Sequence, residues 1–129
     1  MKAADIYGQR DQAIWDEGVG TWMDLIEAQE LRAKLDRGDD FRFVMTLGEW
    51  EYRTTHIPGS MRISTVEEAL EKLDPGDEIV LYDSGPGCPA SRMAHRMLKA
   101  RGYGRVRRFA GGLEEWARLG YPLAGESVL

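Results

Sequence analysis

An α/β domain is predicted, a central parallel β-sheet of about five strands with helices on both faces. Three observations carry this. Short apolar runs of strand length alternate with amphipathic, helix-length segments along the chain. Ile79-Val80-Leu81-Tyr82 is unbroken by any polar residue, as expected of a strand covered on both faces. At 129 residues, with 43% apolar and 30% charged residues, the chain suits one domain with one packed interior and argues against wholesale disorder.

Residues 1–20 show weak periodicity and end in Gly18-Val19-Gly20, so residues 1–23 read as an N-terminal extension holding at most a short helix near Asp11 to Glu17. Leu25 and Ile26 suggest a first short strand. Ala28, Leu31, Arg32 and Leu35 then keep helical spacing until Gly38, a helix stop. Phe41 to Met45 has strand length, and Gly48 to Arg53 suits a short helix. Pro58 breaks that helix, because it disfavours a helical Ile57. Met61 to Ile63 is a third strand. Ser64 or Thr65, followed by Glu67 and Glu68, marks a helix start with Ala69, Leu70 and Leu73 as its buried stripe. Asp74-Pro75-Gly76-Asp77 is a turn, and Ile79 to Tyr82 is the central strand. Beyond it, Ala90, Met93, Ala94, Met97, Leu98 and Arg101 recur at helical spacing up to Gly102, with Met93 and Met97 as core filler and His95 at the surface. Val106 to Phe109 is the last strand. Gly111-Gly112 turns the chain into a helix from Leu113 to Leu119, anchored by Trp116 and ended by Gly120-Tyr121-Pro122. Trp50 is expected, like Trp116, to be a core anchor, whereas Trp15 and Trp22 of the extension could also cover a groove or a partner.

Charge and composition narrow the function. A net charge of −5 disfavours general nucleic-acid or membrane-surface binding. The apolar runs are far shorter than the roughly 18 residues a membrane helix needs, and the first twenty residues carry charges without an apolar block, so cytoplasmic residence is expected. The charge is uneven. Between Ser84 and Leu113 there is no Asp or Glu, but 7 of the 17 basic residues. Cys88 is the single cysteine, which excludes an internal disulfide, and with only His56 and His95 beside it no zinc site and no cofactor are expected. Any thiol chemistry must use Cys88.

The loop Asp83-Ser84-Gly85-Pro86-Gly87-Cys88-Pro89 follows the central strand directly, where open parallel sheets bind their ligands. Its glycines let backbone N–H groups converge, and the next helix begins near Pro89, Ala90 and Ser91 with its positive end toward the loop. An anion-binding loop is therefore expected over residues 83–92, with Arg92 either facing the concavity or standing in solvent on the first turn of the helix. Tight turns need glycine whether or not anything binds, so this pattern alone leaves a structural turn equally open.

Several segments, in order, resemble the rhodanese homology domain: Glu49-Trp50-Glu51-Tyr52, His56-Ile57-Pro58-Gly59-Ser60, the Ile79–Tyr82 strand with its loop, and Phe109-Ala110-Gly111-Gly112-Leu113-Glu114-Glu115-Trp116 through Gly120-Tyr121-Pro122-Leu123. The likeness spans about residues 24–124, leaving 125–129 as a tail. It implies a sulfurtransferase scaffold in which a cysteine immediately after the central strand takes sulfur from thiosulfate and passes it to cyanide or a thiol. Here that position holds Asp83. The family's Asp-x-Arg pair is also missing, since Met45 and Leu47 stand where it is expected. The resemblance therefore implies a degenerate active site, serving as a binding, regulatory or anion-sensing module for a small anion or a protein partner. The alternative is a sulfurtransferase or sulfur carrier that forms its persulfide on Cys88, whose thiolate the helix end and Arg92 would favour. Tyrosine-phosphatase chemistry from Cys88 needs an arginine six residues on, where Ala94 stands. His56 is expected to orient backbone groups of its loop.

Overall fold

The computed structural model describes residues 24–128. The expected extension over residues 1–23, including Trp15 and Trp22, lies outside the described residues, as does Leu129. The elements run α1 (Ala28–Arg37), β1 (Arg42–Met45), α2 (Glu49–Thr54), β2 (Met61–Arg62), α3 (Val66–Lys72), β3 (Ile79–Tyr82), α4 (Ala90–Ala100), β4 (Val106–Phe109) and α5 (Gly112–Arg118). The four strands form one sheet in the order β2-β1-β3-β4, all pairs parallel. A fifth chain segment joins at the edge: Leu25 makes a single parallel bridge to Arg108, and Ile26 N–H donates to Arg108 O at 3.0 Å. The expected first strand is thus reduced to one bridge.

β3 lies between β1 and β4, and all four of its residues are buried. Its alternating side chains serve two cores. Val80 and Tyr82 pack with Leu31, Phe43, Met45, Phe109 and Trp116 on one face; Ile79 and Leu81 pack with Val44, Ala69, Leu98 and Val106 on the other. Helices therefore cover both faces of a parallel sheet, as the alternation of elements predicts. No helix among the described residues is long and apolar enough to cross a membrane.

Local chemistry sets the element ends. Gly38, at φ 72°, closes α1 in the left-handed conformation that a Cβ disfavours. The Thr65 side chain accepts from Glu68 N–H and starts α3, and Asp77 closes the following turn by accepting from Asp74 N–H at 2.8 Å.

The expected burial or exposure of five residues is corrected. In α4 the sheet-facing residues are Ser91, His95 and Leu98, while Met93 is 62% exposed and Met97 only partly covered. The helix is turned so that the small Ser91 meets Arg108 of β4 and the ring of His95 lies beside Asp24, and the methionine face looks sideways. His95 is consequently fully buried rather than at the surface. Trp50 is 72% exposed, because α2 is too short to bury any of its six residues completely. Leu70 is exposed as well, leaving Ala69 and Leu73 as the buried residues of the α3 segment.

Candidate functional site

The end of β3 is held from two sides. Tyr82, the last strand residue, points into the first core, where its Oη accepts from Ile57 N–H at 2.9 Å and lies 2.8 Å from Ser60 Oγ. Ser60 Oγ donates to Ile57 O at 2.7 Å, and Tyr52 Oη donates to Ser60 O at 2.7 Å. These bonds fix the His56-Ile57-Pro58-Gly59-Ser60 loop against the strand. Burial pushes the Tyr82 phenol up to about 12, outweighing its hydrogen bonds with Ser60 and Ile57, which pull the other way. His56 stacks on Tyr52 with ring centroids 3.9 Å apart, its Nδ1 lies 2.8 Å from Tyr52 O, and its backbone pairs with Ala124. It orients loop backbone.

Asp83 follows immediately and is 1% exposed. Its Oδ2 accepts from Ser91 N–H at 2.8 Å and its Oδ1 from Gly85 N–H at 3.2 Å. The carboxylate thus takes one amide from the loop and one from the first turn of α4, where the helix dipole favours negative charge. Gly85, Pro86, Gly87 and Cys88 form a turn closed by Cys88 N–H donating to Gly85 O at 3.0 Å. Gly85 is buried beneath it, Ser84, Pro86, Gly87 and Pro89 are exposed, and Ala90 and Cys88 are half-buried.

The Gly111-Gly112 turn completes the site. α5 has no side-chain cap; instead its leading N–H groups, from Leu113 and Glu114, donate to Asp83 O at 3.0 Å and Ser84 O at 2.9 Å. A Cβ on Gly112 would collide with Asp83 O and lie 2.7 Å from Gly85 N, and its φ of 60° is left-handed. Only glycine allows this approach.

Arg92, expected either to face the concavity or to stand in solvent, is exposed. The guanidinium beside the cradle is instead that of Arg108, 8% exposed on β4, whose Nε donates to Ser91 Oγ at 3.2 Å. Its burial lowers its pKa from the usual range, Arg92 lowers it further, and the Asp83 carboxylate opposes both. Sequence reading missed Arg108 because a basic residue on an apolar strand looked like a solvated flank. The partial signal was its position, one residue before the strand's end and beside the loop-bearing strand. His95 lies next along α4. Its Nε2 is 3.0 Å from Asp24 Oδ2, within ion-pair distance, yet neither ring nitrogen makes an aligned hydrogen bond among the described residues. Burial holds its pKa below the usual imidazole range, reinforced by Arg108 and opposed by Asp24. No group of three or more His, Cys, Asp or Glu among the described residues could hold a metal ion.

A family model described as the rhodanese-like domain matches residues 27–119. No curated protein matches the chain. Among solved structures, the rhodanese-like domain of an Anabaena sp. protein, solved by solution NMR, is 25% identical, with 81% of this chain and 80% of that one covered and a TM-score of 0.72. A crystal structure of a Bacillus halodurans protein is 22% identical, covering 80% of this chain and 77% of that one, with a TM-score of 0.73. A rhodanese-related protein from Thermoplasma volcanium is 21% identical, covering 79% and 98%, with a TM-score of 0.63. With the family match spanning most of the chain, and with the parallel sheet, the strand-end loop and the Gly-Gly turn packed on it already in place, this chain belongs to the rhodanese-like domain family.

Proposed function

We propose that this domain is a binding or regulatory module without standard thiosulfate sulfurtransferase activity. The residue immediately after β3, where the family resemblance expects the sulfur-carrying cysteine, is Asp83. The observation that carries the reading is that both oxygens of this buried carboxylate are engaged by the amides of Gly85 and Ser91. The cradle is occupied from within. A carboxylate lacks the polarizable nucleophile that attacks the outer sulfur of thiosulfate, and its charge repels that dianion. The exposed side of the loop, with Ser84, Pro86, Gly87 and Arg92, is left for contact with a small anion or a protein partner.

The half-buried thiol of Cys88, at the foot of α4, favours one competing reading. In that reading its thiolate attacks a sulfane sulfur, the donor's S–S bond breaks with the electron pair leaving on the donor, and a persulfide remains on Cys88. Mass spectrometry after incubation with thiosulfate or polysulfide separates the two. We expect no adduct; an added sulfur atom on Cys88 that is removed by cyanide would establish the sulfur carrier instead.

The Asp83→Cys variant tests the cradle itself. Its thiolate would accept the amides that now hold the carboxylate, and a weak thiosulfate:cyanide sulfurtransferase activity is expected, limited by Met45 and Leu47 in place of the Asp-x-Arg pair. A well-folded variant that stays inactive and unmodified would overturn this view of the loop.

A further inference from the structure

An apolar groove of about 470 Å³ runs between α3 and α4, away from the Asp83 carboxylate. Val44 and Leu81 floor it, Ile63 and Leu73 form one wall, and Met93 and Met97 form the other. It lies in the size range of pockets that bury a ligand, about 300–1,000 Å³. Its walls differ in charge. α4 carries the exposed Arg92 and Arg96 and no acidic residue, whereas α3 carries the exposed Glu67 and Glu71.

The described chain begins at Asp24, whose carboxylate lies 3.0 Å from His95 Nε2 and 3.9 Å from Lys99 Nζ. At 3.6 residues per turn, His95 and Lys99 stand on the flank of α4 opposite Met93 and Met97. The chain upstream of Asp24 is therefore tethered one helix width from the groove. Passing over the outside of a helix about 10–12 Å in diameter, a half-circumference of about 17 Å, takes roughly five extended residues at about 3.3–3.6 Å each. Counting back from Asp24, that span is used up near Gly18, and the residues that follow are Glu17, Asp16, Trp15 and Ile14. Residues 11–22 carry Asp11, Asp16 and Glu17 but no Lys or Arg. The acidic pair is thus available to the exposed Arg92 and Arg96 on the outer face of α4, over which the segment passes on its way to the groove, directly beside two large apolar side chains.

We propose that the groove is the docking site of this chain's own N-terminal segment, with Ile14 and Trp15 seated between α3 and α4 and Asp16 and Glu17 against Arg92 and Arg96. The segment then covers the methionine face of α4 and lies along the wall of the helix whose first turn holds Asp83.

Cys88 is the single cysteine, so a Cys88→Ser, Met93→Cys chain of full length carries one thiol, at an exposed position. With a nitroxide attached there, the amide NMR signals of residues 13–17 are expected to broaden at low protein concentration, alongside those of Ile63 and Ala69 at the groove. Adding Arg92→Glu and Arg96→Glu should restore the segment's signals severalfold and leave Ile63 and Ala69 broadened. Sharp signals for residues 13–17 while Ile63 and Ala69 broaden would overturn the proposal. Broadening that grows with protein concentration would also overturn it, assigning the groove to a second copy of the chain. As an independent measurement, Trp15→Ala should speed thiol labelling at Met93→Cys severalfold; an unchanged rate counts against the docked segment.

Discussion

Tyr82 and His95 are both buried titratable residues, and they respond to pH in opposite directions. Tyr82 is neutral in the fold with its pKa raised to about 12, above the ordinary 10.0. The unfolded chain ionises first on the alkaline side, so the stabilisation is complete below about pH 10 and is lost as pH rises toward about 12. Its full size is about 3 kcal/mol. Tyr82→Phe should remove this alkaline sensitivity and, by orphaning the buried Ile57 N–H, cost about 1–3 kcal/mol at neutral pH in denaturant unfolding. His95 has its pKa lowered by burial, so its contribution is present above the ordinary value of 6.5 and is lost as pH falls below it. The charged groups facing it are Asp24, Lys99 and Arg108. Stability measured across this range should decline on acidification, and His95→Gln should flatten that decline. These two roles differed in legibility. Tyr82 reads directly as the end of a buried strand, but nothing in the spacing of α4 announces that an imidazole, not a methionine, is turned toward the sheet.

Among the elements, the short helix α5 and the loop after β3 behave as one unit. The loop carbonyls of Asp83 and Ser84 cap α5, and Gly112 is the point of closest approach. Gly112→Ala should force the two apart, costing at least about 1–3 kcal/mol in chemical unfolding, from the left-handed backbone alone. It should also raise the accessibility of Cys88 to thiol reagents. The Gly-Gly-Leu-Glu-Glu-Trp segment was recognisable as a turn and helix, but its service as the lid of the loop was not, because that depends on a contact between residues about thirty apart in sequence. Helix boundaries were legible wherever a local cue set them, as at Gly38 and Thr65. Burial faces were not. Ala90, Met93, Ala94 and Met97 give α4 an apolar stripe as convincing as its true sheet-facing set, and only the polar partners of Ser91, Asp83 after β3 and Arg108 on β4, decide between the two. Trp50 fails the same way, its size suggesting an anchor in a helix too short to have an inner face.

For the molecule as a whole, the single sheet divides the interior into two cores that share β3. A large-to-small change on this strand should be felt globally: Leu81→Ala is expected to cost about 2–5 kcal/mol, whereas Trp50→Ala, on the exposed side of α2, should stay within about 0.5 kcal/mol. Urea titrations of the two variants check this contrast. The parallel α/β architecture was readable from alternation alone because short strand-length segments, most plainly the apolar β3, are separated by turn signals and helical spacing. The reduction of the first strand to the Leu25 bridge was not, since nothing local limits how far two segments pair. Sequence order adds a consequence for biosynthesis. Chains leave the ribosome N-terminus first. The latches on both loops at the rim come from downstream residues: Leu113 and Glu114 hold Asp83 and Ser84, Ala124 pairs with His56, and Ser127 N–H donates to Thr54 O. A nascent chain that has emerged only to Phe109 already holds β1 to β4 and the bonds of Tyr82 to the Ile57 loop, but none of these downstream contacts, so the ribosome releases a sheet before it releases a finished cleft.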